Sequence, residues 1–274
     1  MATARNYMSA LRLMRQDCGT NNLESDPAKV FSMMDERWSF SGSRVAMSAL
    51  RKEYPDNKIF QEEMKRRCVL WKKDDECQEP SAKQIAKFIS WDKIIAFRDE
   101  KYAVMTPVQR VLIALYTYIP PVRLDFTPMF VVDRKPQILD DGLNYYVKST
   151  TPYFIFHSYK TFAKYGDKIV TIPAKLETVL NEYLQPGQVY LFQDEKGEPW
   201  KESRLSQTLI RVFEQFLGLK TGVSMLRHAY ATKFHAGQLP LAEIKKVASS
   251  MLHSPIQSMT YRFLSLENDS VKPS

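Results

Sequence analysis

The feature that most constrains the fold is a short stretch of β pattern enclosed on both sides by helical periodicity. Strand-like runs occur at residues 143–147, 153–157 and 168–172, and glycine, proline and aspartate mark the turns between them. The flanking segments repeat apolar residues at helical spacing. We therefore predict a mainly α-helical fold that contains one small antiparallel β-sheet or hairpin.

A charged segment that ends in proline divides the chain. Residues 72–81 read Lys-Lys-Asp-Asp-Glu-Cys-Gln-Glu-Pro-Ser, a composition typical of a boundary between domains. Several short helical patterns precede it, and the β region follows it. We predict a helical domain at residues 1–75, a linker at 76–82 and a second, larger domain at 83–274.

Composition indicates an intracellular globular protein. The hydrophobic fraction of 44% and the charged fraction of 26% are ordinary for such proteins, and no apolar run reaches 18 residues. Neither a membrane span nor a secretory signal is expected. The three cysteines, Cys18, Cys68 and Cys77, form no C-x-x-C pair, which argues against a disulfide framework and against a zinc site. We expect no metal and a reducing compartment.

The positive charge is unevenly distributed. The net charge is +8; residues 80–274 contain 25 Lys and Arg against 18 Asp and Glu, whereas residues 1–79 contain 14 against 13. An excess of this kind is expected where a domain binds a polyanion such as nucleic acid. Solubility alone explains it equally well, so charge leaves both interpretations open.

Five residues outside any regular pattern suggest chemistry on phosphate. Arg227 lies near the start of a predicted helix, where phosphate groups commonly bind, and Arg123 follows a rigid Pro-Pro turn. Lys160 lies at the tip of the predicted hairpin, and Tyr261 follows His253 in a polar segment. Each residue alone has an ordinary interpretation, such as a surface salt bridge, a core tyrosine or a lysine facing solvent. Only their combination points to a site.

The order of these residues resembles the tyrosine recombinase (phage integrase) superfamily. The resemblance is carried by Pro-Pro-Val-Arg-Leu-Asp around Arg123, by Leu-Arg-His-Ala-Tyr-Ala-Thr around Arg227 and by the Leu-His-Ser that precedes Tyr261. It covers most of residues 80–265 and, more loosely, the helical N-terminal part. The Pro-Pro-x-Arg-x-Asp form resembles the recombinases of large eukaryotic DNA viruses and related mobile elements. The family implies a helical core-binding domain and a catalytic domain that clamp around duplex DNA.

The resemblance implies a role for each of the five residues. Tyr261 would attack the scissile phosphate and form a 3′-phosphotyrosyl bond, which releases a 5′-hydroxyl. Arg123 and Arg227 would bind the non-bridging oxygens, Lys160 would protonate the leaving oxygen, and His253 would hydrogen-bond the phosphate or help to place the tyrosine. Because the covalent bond conserves the energy of the phosphodiester, neither metal nor cofactor nor ATP is expected. The reaction implied is site-specific recombination or integration of double-stranded DNA.

Three further residues are expected to support the site. Asp125 can orient Arg123, and His228 follows Arg227 directly, although it projects elsewhere on the helix. Ser224 occupies the position where the family usually has a histidine. A serine can donate a hydrogen bond to phosphate but cannot act as a general base near pH 7.

Two other departures from the family pattern lie near the nucleophile. Leu252 replaces the usual glycine before the later histidine, and the interval from His253 to Tyr261 is eight residues, one shorter than expected. The shorter interval suggests a different turn or a nucleophile presented to a partner subunit. Two alternatives to recombination therefore stay open: a DNA-relaxing enzyme that resembles type IB topoisomerases, and a DNA-binding protein that has lost catalysis.

Partners follow from the same resemblance. We expect a homo-tetramer on synapsed DNA and a monomer or dimer in its absence, located wherever the target DNA lies: nucleus, cytoplasm or viral factory. Phe263 is expected to help dock the C-terminal segment on a neighbouring subunit. The predicted contacts to the DNA backbone are Arg44, Arg51, Lys52, Lys164 and Lys168.

Overall fold

Two units, Met1–Cys77 and Gln78–Ser274, make up the chain, and each has its own hydrophobic core. The computed structural model describes residues 2–40, 42–133, 142–236, 240–252 and 254–266. Among these residues, no helix is both long enough and apolar enough to cross a bilayer.

In the described part of the first unit, all regular secondary structure is helical. Its helices are α1 (Ala2–Cys18), α2 (Pro27–Arg37), α3 (Ser43–Glu53) and α4 (Lys58–Cys77). Helix α2 begins where Asp26 accepts a hydrogen bond from the backbone N–H of Lys29 and proline occupies the first helical position. Met14, Met34 and Leu50 lie at the centre of the core, fully shielded from solvent.

Helix α4 extends further than the sequence indicates. It continues to Cys77, so the charged residues 72–75 and the first two residues of the predicted linker, 76 and 77, are helical. Lysine, aspartate and glutamate are compatible with a helix, and Lys72 and Glu76 form an i, i+4 ion pair on its surface. The helix ends at Gln78, which adopts a left-handed φ of 51°.

The second unit places its strands between helices. Its elements are α5 (Ala82–Ile85), α6 (Trp91–Lys101), α7 (Pro107–Leu115), β1 (Met129–Val132), β2 (Asn144–Val147), β3 (Tyr153–Phe156), α8 (Phe162–Tyr165), β4 (Lys168–Thr171), α9 (Ala174–Tyr183), α10 (Glu202–Leu217), α11 (Val223–Phe234), α12 (Leu241–Ser250) and α13 (Pro255–Met259). Short 3-10 turns occur at Tyr102–Val104 and Leu264–Leu266. The apolar spacing of residues 85–98 predicts a single helix. The structure has two helices there, because Ser90 is the extended N-cap residue of α6.

The four strands form one sheet in the order β1-β2-β3-β4. The pairs β2–β3 and β3–β4 are antiparallel, whereas β1 runs parallel to β2, with Met129 opposite Asn144. The predicted mainly helical fold with a small sheet is confirmed, but the sheet is mixed rather than antiparallel. The sequence did not indicate β1, because its pairing with β2 joins residues that are distant in the chain.

One face of the sheet packs against the helical core. Tyr146, Phe154 and Phe156 point into this core, while Tyr145 and Ile155 on the opposite face join a small separate cluster. Alternation of this kind follows from the two-residue period of a strand. Since both faces are covered, the loops that leave β2 and β3 start from well-packed positions.

Candidate active site

Arg227 is the most deeply buried charged residue of the candidate site, with 1% of its surface exposed. It lies on α11, and its guanidinium donates to two backbone carbonyls. Nη1 is 2.8 Å from the oxygen of Pro121, and Nη2 is 3.2 Å from the oxygen of Met251. The side chain therefore joins the turn before Arg123 to the end of α12, and these bonds fix the direction of its planar group.

Tyr261 lies directly against this guanidinium. The centroid of the tyrosine ring is 5.2 Å from Cζ of Arg227, and the two side chains are hydrogen-bonded. Burial lowers the pKa of Arg227 to about 10; the tyrosine raises this pKa and the positive charge of Arg123 lowers it. Arg227 stays cationic at neutral pH, and a negatively charged group bound here would be stabilised by both arginines.

His228 contacts the backbone of Tyr261. Its Nδ1 is 2.8 Å from the carbonyl oxygen of that residue, so we assign the ring hydrogen to Nδ1. The imidazole packs between the Tyr261 ring at 4.6 Å and the Phe263 ring at 4.2 Å, nearly parallel to the latter. Burial lowers the pKa of His228 to about 4, so the ring is neutral at pH 7. The structure thus places this residue beside Tyr261, although its position in the sequence suggested another direction.

Two further side chains, one on α11 and one at its C-cap, contact the same segment. The hydroxyl oxygen of Thr232 accepts from the N–H of Phe263 at 3.0 Å, and Nε2 of His235 is 2.8 Å from Oγ of Ser258. Thr232 and His235 are both 1% exposed. The sequence motifs singled out neither residue for the site. The signal that could have identified them is their spacing from His228, which puts all three on one face of the helix.

Arg123 is positioned through its backbone. Its carbonyl accepts from the Tyr116 hydroxyl at 2.7 Å, and its N–H donates to Oδ2 of Asp125 at 3.1 Å. Burial raises the pKa of Asp125, and this N–H and the guanidinium charge of Arg123 oppose that effect. Asp125 was predicted to orient Arg123, and its described hydrogen bond holds the turn that carries the residue.

Lys160 shares a cleft with Arg123. The cleft has a volume of about 390 Å³. Its lining residues are Arg123, Leu124, Asp125, Ser158, Tyr159, Lys160 and Glu202. Lys160 is exposed near the end of the loop between β3 and α8, so its ammonium group can approach a bound ligand.

A buried amide connects the loops of these two residues. Asn144, 4% exposed, donates to the carbonyls of Asp125 at 2.9 Å and of Ser158 at 3.0 Å. Its oxygen accepts from the N–H groups of His157 at 3.0 Å and Ser158 at 2.8 Å. The first residue of β2 therefore fixes the distance between the turn before β1 and the loop that carries Lys160.

The predicted catalytic residue His253 lies outside the described residues, but both of its flanking segments are defined. Leu252, which precedes it, has a φ of 55°, and its carbonyl accepts from the hydroxyl of Thr161 at 3.2 Å. The loop with Lys160 and the end of α12 are therefore in contact. Ser224 is exposed in the first turn of α11, one turn before Arg227.

The predicted DNA contacts of the first unit differ in their surroundings. The guanidinium of Arg44 forms two hydrogen bonds with Asp75, at 3.0 and 2.9 Å, and another with the carbonyl of Trp71 at 3.2 Å. These bonds give it a structural role that sequence alone did not reveal. Arg51 and Lys52 are exposed in the last turn of α3.

In the second unit, the two predicted DNA contacts flank one tyrosine. Nζ of Lys164 is 5.4 Å from the centroid of the Tyr165 ring, and Nζ of Lys168 is 6.0 Å from it. Lys164 is exposed and Lys168 is half-buried. Both therefore lie on the loop region that also carries Lys160.

Comparison with known proteins finds likeness among solved structures. No protein-family model and no curated protein matches this chain. A solved structure described as the crystal structure of XerA recombinase is similar, with a TM-score of 0.44 and 12% sequence identity over 100% of this chain and 93% of that chain. Similarity at this level carries no argument about activity. The function must therefore be inferred from the residues of the site.

Proposed function

We propose that this protein cleaves and rejoins double-stranded DNA through a covalent bond between Tyr261 and a 3′-phosphate, as a recombinase of the tyrosine type. The observation that carries the proposal is the contact between the tyrosine and the buried guanidinium of Arg227, with the charge of Arg123 acting on the same group. Burial and a neighbouring cation both disfavour charge on Arg227, and a bound phosphate relieves both effects. The site therefore favours binding of an anion, such as a phosphate, next to the phenol of Tyr261.

The chemistry follows from charge and position. The two arginines bind the non-bridging oxygens and stabilise the negative charge that grows on them in the transition state. Oη of Tyr261 forms a bond to phosphorus while the bond from phosphorus to the 5′-oxygen breaks. Lys160 protonates that oxygen, and the proton of the phenol passes to solvent water, so one proton is lost and one is gained. Attack by a 5′-hydroxyl on the phosphotyrosine reverses these steps and reseals the strand.

The test is the formation of a covalent adduct. The protein is incubated without added metal with a nicked suicide DNA that carries the terminal sequence of its element, and the products are separated on a denaturing gel. We expect a band shifted by the mass of one chain. Tyr261→Phe should abolish it, whereas Tyr190→Phe, which keeps a ring against Phe130, should leave it unchanged.

Two other results would contradict the proposal. DNA binding without an adduct would indicate a binding protein that has lost catalysis. An adduct accompanied by relaxation of any supercoiled plasmid, without recombinant products, would indicate an enzyme of the type IB topoisomerase kind.

A further inference from the structure

Two side chains of α11 and that of its C-cap residue hold the segment that contains Tyr261. The three residues are His228, Thr232 and the C-cap His235, which we call the α11 anchor; their spacing of four and three residues is that of one helix face. Their hydrogen bonds reach residues before, at and after the tyrosine. These three contacts fix the position of residues 258–263 along α11.

The segment is also held by packing. Phe263 is 3% exposed, and its ring contacts Phe88 at 5.8 Å as well as His228. The carbonyl of Gln78 accepts from the N–H of Leu264 at 3.2 Å, and its side-chain amide donates to the carbonyl of Met259. Phe263, which the sequence suggested for docking on a neighbour, is thus part of the core of its own chain.

The anchor is adjacent to the phosphate-binding arginine. Arg227 and His228 are consecutive on α11, and they contact the side chain and the backbone of Tyr261, respectively. Transfer of the tyrosine to another subunit would break all three anchor bonds and expose Phe263. Catalysis of phosphoryl transfer depends on alignment of the attacking oxygen. Rigid attachment of the Tyr261 segment to α11 therefore affects this alignment directly.

On the basis of the function proposed above, we infer that Tyr261 attacks the phosphate bound by the arginines of its own chain, and that the α11 anchor aligns it. His228 and Thr232 are then positioning residues, since they act through the backbone of the tyrosine segment. The shortened interval between His253 and Tyr261 is accommodated within one chain.

Mixing two defective variants tests the origin of the nucleophile. Arg123→Ala, fused to a mass tag, retains the tyrosine, and Tyr261→Phe retains both arginines. We expect a mixture of the two to form no more adduct than each alone. A tagged adduct in the mixture would overturn the inference, because the tyrosine of one chain would have attacked the phosphate held by the other. A small amount of wild type in a large excess of Tyr261→Phe should still give adduct. Most wild-type chains are then in mixed assemblies, so this result shows that mixed assemblies are active.

The alignment is tested at Thr232. Thr232→Val keeps the shape and removes the hydroxyl, whereas Thr232→Ser keeps the hydroxyl. At saturating DNA we expect the valine variant to form adduct about tenfold more slowly with unchanged DNA affinity, and the serine variant to recover most of the rate. A valine variant with the wild-type rate would overturn the anchor's role, as would an equal loss in the serine variant.

If Thr232→Val does not fold, a pair of His228 variants tests the alignment instead. His228→Asn keeps a donor for the Tyr261 carbonyl, and His228→Phe keeps the ring without a donor, so the asparagine variant should form adduct faster. The reverse order would contradict the inference. Absence of any adduct with wild-type protein would instead contradict the proposed function, which separates the two failures.

Discussion

Leu252 adopts a backbone conformation that favours glycine. Its φ of 55° lies in the left-handed region, and its side chain is 2% exposed. Glycine adopts this conformation without strain, whereas leucine does so at a cost. The left-handed conformation costs an L-residue about 1–2 kcal/mol, whereas burial of a leucine side chain contributes about 2 kcal/mol. The two effects are similar in size, which explains how a leucine is tolerated.

Replacement of Leu252 should separate these effects. Leu252→Ala and Leu252→Gly both lose the buried side chain and should lower the free energy of unfolding. We expect the glycine variant to be the more stable by about 1 kcal/mol, since alanine keeps the left-handed strain. Urea unfolding measures the difference. An alanine variant as stable as the glycine variant would contradict the assigned backbone conformation.

His228 should make the stability of the protein depend on pH. Its pKa is lowered to about 4 in the folded state, so the unfolded chain binds the proton more readily. Stability from this group is complete above about pH 6.5 and is lost as the pH falls towards 4, by roughly 3 kcal/mol in total. Burial also lowers the pKa of His235, which adds to the effect in the same direction.

The measurement compares unfolding of wild type and His228→Asn between pH 7.5 and pH 4.5. The variant should lose less stability over this range, because asparagine does not titrate. Equal losses in the two proteins would show that other groups dominate.

At the scale of elements, periodicity predicted most of the fold. The predicted strands at 143–147, 153–157 and 168–172 correspond to β2, β3 and β4 within one residue at each end. Strand β1 was missed, because its pairing with β2 depends on contacts between residues distant in the chain. The division of the helix predicted at 85–98 depended on a cap at Ser90, whose extended backbone is not encoded in apolar spacing.

In the candidate site, too, some residues could be predicted from sequence motifs, and others depend on tertiary structure. Arg227 and Tyr261 could be singled out because their neighbours form a recognisable pattern. Asn144 could not, since it acts by hydrogen bonds to backbone groups that only the folded chain brings near. The spacing of Thr232 from His228 indicates its helix face, but its partner at Phe263 is likewise visible only in the folded chain. The catalytic roles assigned from the sequence remain predictions until the adduct is measured.

The connection made by Asn144 can be tested directly. Asn144→Ala leaves two carbonyls and two N–H groups of the adjoining loops without their partner, which should cost about 2–4 kcal/mol of stability. Adduct formation should also slow, because the loops of Arg123 and Lys160 lose their fixed separation. Thermal unfolding and the gel assay report the two effects. Asn181→Ala, exposed on α9, should change neither, and an active Asn144→Ala protein would contradict the connection.

At the scale of the whole molecule, the uneven distribution of charge along the chain bears on DNA binding. The excess of positive charge belongs to residues 80–274, which include the site. If DNA binding depends mainly on phosphate contacts, affinity should fall by about 10³-fold between 50 and 200 mM salt. Fluorescence anisotropy with labelled duplex at several salt concentrations gives the slope.

Replacement of Lys164 and Lys168 by alanine should reduce that slope by about 1–2. Lys72→Ala, on the balanced first unit, should leave it nearly unchanged. An unaltered slope in the double variant would remove these lysines from the DNA interface.

The carbonyl bonds of Arg227 have a consequence for stereochemistry. A guanidinium held at Pro121 and Met251 cannot swivel to follow a ligand, so its remaining edge points in one direction. The two non-bridging oxygens of a phosphodiester are chemically alike but differ in handedness about phosphorus. If the site binds a DNA phosphate as proposed, a donor of fixed direction contacts one of these oxygens in preference to its mirror-related neighbour. The proposed site is then chiral towards phosphorus itself, and we expect sulfur substituted for one oxygen not to be equivalent to sulfur substituted for the other.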